Sequence, residues 1–214
     1  GKPSPEVPQP GLPMGSNRSG DYIPVARIVD ALLNPGAAYD FNGERRSYPD
    51  IRMIYWCGGN PFHKQQDINR FLRAWQKPET IIIHEPWWTP AARRADIVLP
   101  VTTTHERNDI GSAPRERFYI AMQKAVSPVG NARNEYDIYA DLAERLGFRD
   151  AYTEGRNEMD WLRHMYDVAR QKASRKHHEM PDFDTFWEDG YIEFPASEAP
   201  SVLFEDFRED PTGA

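Results

Sequence analysis

The chain has 214 residues, 39% of them hydrophobic, with a net charge of -7 and a single cysteine, Cys57. Its cations are scattered among the acids rather than gathered into a stripe, which speaks against nucleic acid and anionic membrane as partners. The lone cysteine excludes an internal disulfide or a cysteine-based metal cluster in this chain, and no apolar run approaches the roughly 18 residues of a membrane span.

The hydrophobic share lies below the roughly 45–50% usual for a globular domain, and nineteen prolines are many for a compact fold. Such a composition suits a piece that packs against something larger. Residues 1–21, "GKPSPEVPQPGLPMGSNRSGD", have no apolar core and read as a disordered or extended lead-in rather than a signal peptide. In "IPVARIVDALLNPG", Val25, Ile28, Val29, Leu32 and Leu33 recur at helical spacing, and Asn34-Pro35-Gly36 is a stop signal. "DFNGERRSYPD" reads as a polar turn region, and "IRMIYW" as a short buried strand. After "CGGNP", Ile68, Phe71, Leu72 and Trp75 mark one face of a helix. Pro78 closes the linker to a second strand, "TIII", which ends at His84-Glu85, and "ADIVLP" is a third. Strand, helix and strand at this spacing predict βαβ units with a parallel sheet and a right-handed crossover.

Further on, "RFYIAMQKAV" suits another strand. "NEYDIYADLAERLG" is a helix with Asn134 as N-cap and Gly147 as C-cap, and "NEMDWLRHMYDVARQKASRKHH" is a second helix. From Met180 the chain reads as aromatic and loop-like, with Trp187, Tyr191 and Phe194 lacking an obvious core partner. The fold expected is α/β: a parallel-sheet, Rossmann-like half-domain over residues 22–148, with a helix- and loop-rich extension over 149–214.

At a first strand-to-helix turn, backbone N–H groups can hold a phosphate, helped by the dipole of the next helix. Gly58 and Gly59 stand at that turn, and Glu85 ends the second strand where a ribose-binding acid belongs. The G-x-G-x-x-G fingerprint is absent, so nucleotide binding and a plain structural turn both stay open on these residues. Cys57 is expected as a small buried side chain, His177-His178-Glu179 as a solvated helix end, and Asp96 as a capping or turn residue. Trp87 and Trp88 either pack their loop or offer a stacking surface. Glu106 and Arg107 make a local ion pair or a polar site at the sheet's carboxyl edge. No catalytic set and no metal-ligand spacing is visible.

Taken together, "IYWCGGNPFHKQQDINRFLRAW", "IIIHEPWWTPAARRADIVLPVTTTHERNDIG" and "ARNEYDIYADLAERLG" resemble the dimethyl sulfoxide reductase family of molybdenum enzymes. "IGSAPRERFYIAM" and the tail point within it to the S-oxide and N-oxide reductases. The resemblance runs from Tyr22 to the end. It implies a middle segment of a longer oxidoreductase that holds molybdenum between two molybdopterin guanine dinucleotides. The metal-ligand domains would lie upstream and a further dinucleotide-binding domain downstream, so this segment would be inactive alone. A small-molecule oxide would be the substrate and the cytoplasm the location, with the periplasm as the alternative.

Carried onto this chain, the resemblance makes Gly59 and Asn60 contacts to the cofactor backbone. Lys64 falls where relatives carry histidine, and would meet a phosphate as a mobile point charge. His84 and Glu85 match a pair that meets the guanosine ribose, with Thr89 beside them. Arg107 would place a guanidinium near phosphate or guanine. Glu135, where relatives often carry aspartate, can accept from guanine N1–H and the 2-amino group together. Two other readings stand beside this one: a stand-alone guanine-nucleotide module, and a docking module using the tail's aromatics.

Overall fold

In the computed structural model, residues 7–13, 15–16, 20, 22–113, 116–196 and 204–212 are described. The chain forms two compact units interleaved along the sequence. One comprises Met14–Thr103 and Pro128–Asp141; the other comprises Gly1–Pro13, Thr104–Ser127 and Leu142–Ala214.

The first unit is built on a three-stranded parallel sheet. Its strands are β3 (Met53–Cys57), β4 (Thr80–His84) and β5 (Ile97–Leu99), in that spatial order. Ahead of it come helix α1 (Ile28–Leu33) and the hairpin β1 (Ala38–Phe41) and β2 (Glu44–Ser47). The hairpin corrects the expectation of a polar turn region. Asn42 and Gly43 both take positive φ, 51° and 77°, the two-residue turn whose twist matches paired strands. Tyr39 and Tyr48 then stack at 4.3 Å over buried Ala31.

Helix α2 (Ile68–Trp75) joins β3 to β4 and is capped by Asp67, whose side chain accepts from Arg70 N. Alternation along the strands sends Ile54, Trp56 and Ile81 into a cluster with Phe71, Ala74 and Trp75 of α2 and Val29 and Leu32 of α1, while Ile83 packs with Ala91 and Ala92. The opposite face carries Tyr55, Cys57 and His84. There it meets helix α3 (Glu135–Arg145), whose Tyr139 ring stacks on His84 at 5.0 Å. Covering both faces is what a parallel sheet requires. β3 is only half-buried along its length, because it is an edge strand and β4 alone is central. Cys57, expected to be buried, is exposed for the same reason. Asp96 joins the start of β5 to β4 by accepting from Ile81 N at 2.8 Å and donating its own N–H to Ile81 O.

The second unit holds an antiparallel sheet of β6 (Asp109–Gly111), β7 (Phe118–Met122) and β8 (Tyr191–Glu193). Its helices are α4 (Arg149–Thr153), α5 (Glu158–Ser174), α6 (Phe183–Asp189) and α7 (Glu205–Glu209). An Asn157/Asp160 capping box starts α5, satisfying two backbone donors that a helix start leaves open. Residues 180–194 are not a loop lacking a core. Asp182 caps α6, Gly190 ends it at φ 85°, and Phe183, Phe186 and Phe194 are buried against Tyr119 and Tyr166. Trp187 packs on the same cluster, while Tyr191 stays exposed. The docking module built on these aromatics therefore loses most of its surface. About half of the lead-in expected over residues 1–21 lies outside the described residues, and Val7 is buried in this core.

Candidate functional site at the sheet's carboxyl edge

Parallel register aligns the strand ends: Cys57 lies opposite His84, and His84 opposite Leu99. The segments leaving those ends are the glycine loop and the Glu85–Thr89 turn. Val101 then bridges Arg133 in parallel, which brings the start of α3 and Glu135 to the same edge. One edge thus gathers residues more than 70 positions apart in sequence, as open α/β sheets do at their ligand crevices.

The glycine loop is held from beneath. Trp56 packs against Trp75 in the same cluster as Phe62, and its indole N–H is shared between Gly58 O at 3.0 Å and Gly59 O at 2.8 Å. Gly58 and Gly59 take φ of 79° and 68°, a region open to glycine and strained for side chains. Asn60 Oδ1 accepts from Phe62 N at 3.1 Å and caps the turn at Pro61. Its Nδ2 is buried and finds no partner among the described residues. Lys64 reaches back over the loop: a Cβ at Gly59 would lie 2.9 Å from its Nζ. An ammonium, an orphaned amide donor and left-handed glycines in one loop form an anion-compatible cradle.

The other residues at this edge are more constrained. His84 has no exposed side-chain surface. Its Nε2 lies 2.7 Å from the Tyr55 hydroxyl, and its Nδ1 lies 3.0 Å from Glu135 Oε1. Glu85 is buried; its carboxylate accepts from Thr89 Oγ1 at 3.0 Å and from Trp87 N at 3.4 Å. The turn so closed leaves Trp87 and Trp88 at 68% and 70% exposure, so neither packs its loop. Burial, with Cys57 and Glu135 nearby, raises the Tyr55 hydroxyl's pKa. Burial also raises Tyr139, whose hydroxyl donates to Cys57 Sγ at 2.7 Å. Cys57 is exposed as a residue, yet partial desolvation of its thiol outweighs that hydrogen bond and holds the thiol up, which makes it a weak nucleophile at neutral pH.

Of the residues singled out in the sequence, Gly59, Asn60, Lys64, His84, Glu85, Thr89 and Glu135 all lie in the first unit. Arg107 belongs to the second, where its Nε donates to Asp109 at 3.3 Å and Glu106 beside it is buried. Sequence reasoning passed over Trp56, Tyr55 and Tyr139. A strand ending Tyr-Trp-Cys beside a glycine pair puts its two aromatics on opposite faces, and that alternation was the available signal.

These features define a Rossmann-like α/β protein with a polar carboxyl edge. The molybdopterin oxidoreductase family matches residues 32–145, more than half the chain, and the chain belongs to that family. It is 50% identical over 209 residues to biotin sulfoxide reductase of Cereibacter sphaeroides, covering 97% of this chain and 27% of that protein. It is 52% identical over 199 residues to the dimethyl sulfoxide/trimethylamine N-oxide reductase of the same organism, with coverages of 92% and 24%. Trimethylamine-N-oxide reductase of Haemophilus influenzae is 46% identical, with 90% and 24% covered. The chain thus spans about a quarter of the length of these relatives. Acetylene hydratase from Pelobacter acetylenicus shares the fold, with a TM-score of 0.52 at 19% identity over 71% of this chain and 19% of that one. The family implies a molybdenum–molybdopterin cofactor. No helix among the described residues is long and apolar enough to cross a membrane.

Proposed function

We propose that the chain is the part of a molybdenum S-oxide or N-oxide reductase, of the biotin sulfoxide reductase kind, that holds one guanosine arm of a bis(molybdopterin guanine dinucleotide) cofactor. The remaining domains of the same polypeptide would supply the metal ligand and the oxide site. The bound molybdenum group supplies two-electron redox chemistry; the residues here bind and orient. The observation that carries the reading is the convergence of the glycine loop, Lys64 and Glu135 at one sheet edge. Backbone N–H groups of Gly59 and Asn60, with the Lys64 ammonium, suit a pyrophosphate. Glu85 closes the Glu85–Thr89 turn and, with four lone-pair sites on its carboxylate, keeps capacity for a ribose hydroxyl. Glu135 is half-exposed at the first turn of α3 and spends one lone pair of Oε1 on His84; its remaining lone pairs can accept from two guanine N–H groups that adenine does not offer.

Calorimetric titration of the 214-residue chain with GDP and ADP tests the reading. A carboxylate hydrogen bond contributes roughly 1.5–3 kcal/mol, so GDP binds at least about tenfold more tightly than ADP, and Glu135→Ala removes the preference. Lys64→Ala weakens both nucleotides alike. Equal GDP and ADP affinities would sink the guanine assignment. For the enzyme as a whole, a reading frame that stops at both ends of this segment would count against the oxidoreductase.

A further inference from the structure

His84 was expected to meet the ligand, yet its ring is enclosed and both nitrogens face side chains of this chain. The carboxylate fixes the direction of one bond, and a neutral ring then fixes the other. A carboxylate can only accept, so Nδ1 carries the proton and donates to Glu135 Oε1. In the neutral ring Nε2 is then bare, and the Tyr55 O–H is the donor that faces it at 2.7 Å. Tyr139 lies flat against the imidazole, at an interplanar angle of 25°, and limits its rotation. The result is a directed chain from β3 through β4 to the first turn of α3: Tyr55 O–H to His84 Nε2, and His84 Nδ1–H to Glu135.

We propose that Tyr55 and His84 are positioning residues for specificity, a hydrogen-bond chain that aims the Glu135 carboxylate at the guanine edge. The inference rests on the guanine reading above. A glutamate has three side-chain torsions, and this one is 39% exposed. Without an anchor its carboxylate would sample several directions, and ordering it on binding would cost rotamer freedom. The His84 bond occupies Oε1 and sets the plane of the group before the base arrives. Removing the Tyr55 hydroxyl leaves Nε2 bare in an enclosed site. That favours a ring flip, which puts carbon where Nε2 and Nδ1 stood and so loosens the hold on Glu135.

The test uses the 214-residue chain. Nitrogen-15 NMR of His84 in the wild type shows the Nδ1–H tautomer, and GDP binds in preference to ADP. In Tyr55→Phe the tautomer signature changes. The GDP-to-ADP affinity ratio then falls by about three- to tenfold, with ADP affinity unchanged. His84→Gln has an amide that can donate to Glu135 and a carbonyl that can accept from Tyr55. It therefore keeps most of the preference, which His84→Leu loses. An Nε2–H tautomer in the wild type overturns the proposal, as does a Tyr55→Phe ratio equal to wild type. A parallel loss of GDP and ADP in Tyr55→Phe would also overturn it, since that marks a merely structural tyrosine. If wild-type GDP and ADP affinities are equal, the guanine reading itself fails and takes the proposal with it. A wild-type preference that persists in Tyr55→Phe removes the proposal alone.

Discussion

A single residue's dihedral angle decides much at the glycine loop. Gly59 sits at φ 68°, and a Cβ there would come within 2.9 Å of the Lys64 ammonium. The contact is with the far end of a flexible side chain, so Lys64 can swing away and the backbone supplies most of the penalty. Gly59→Ala should therefore destabilise the chain by about 1–2 kcal/mol, read as a fall in the urea midpoint. It should also displace Lys64 and lower GDP and ADP affinity together. Wild-type affinity in a destabilised Gly59→Ala would mean that Lys64 takes no part in binding. This loop was legible as a loop from its Gly-Gly-Asn-Pro composition. Its clamp was not: Trp56 holds two carbonyls through one N–H, and nothing in a short apolar run tells which tryptophan edge meets which carbonyl. His84 was legible as a strand end but not as a buried intermediary, because its partners Tyr55 and Glu135 are 29 and 51 positions away.

Among the elements, α1 and α2 are tied by charge as well as by packing. Arg70 Nη2 lies 2.5 Å from Asp30 Oδ1, and Arg27 Nη1 lies 3.4 Å from Oδ2. The Arg70 hydrogen bond dominates and holds the Asp30 carboxyl below its ordinary value of 3.8, against a smaller opposing effect of burial. A depressed folded-state pKa contributes stability that is present above the unfolded value and lost as pH falls through the folded one. Asp30→Asn should thus lower stability by about 0.5–1 kcal/mol at neutral pH. The gap between variant and wild type should close as pH drops below 3.8. A gap that persists undiminished at pH 2 would place the effect in packing rather than in the ion pair. The elements themselves were largely readable. The three parallel strands, α2, α3 and α5 carry periodicity, caps or stop signals. The β1–β2 hairpin escaped because its strands are short and charged, "AYDF" and "ERRS"; the Asn-Gly between them was the signal to weigh more heavily. Helix α6 escaped because six of the seven residues of "FDTFWED" are aromatic or acidic. Its burial depends on Tyr119 and Tyr166, residues far off in the chain.

At the scale of the whole chain, the two units exchange segments at four points, so no single cut separates them. Every residue of the proposed nucleotide site lies within residues 22–148, as do the clusters that support the parallel sheet. A chain of those residues alone keeps α3 whole, including its end at Gly147, where φ is 81°. It loses α5, α6 and β8, against which Tyr119 and Ala121 of β7 are buried. The β6–β7 segment then has one sheet partner where it had a three-stranded sheet with a helical cover, and a lone hairpin is at best marginal in water. Residues 22–148 should therefore bind GDP within about threefold of the 214-residue chain, a difference of roughly 0.6 kcal/mol. The amides of β7 should exchange with solvent at rates near those of an unfolded peptide, while those of central β4 stay protected. Calorimetry and hydrogen exchange on the same preparation read both quantities. If β4 is protected but GDP binding is lost, the guanosine site needs the second unit, and Arg107 becomes the residue to substitute first. If β4 exchanges as freely as β7, the parallel sheet is not a self-supporting core, and the interleaved segments fold only together.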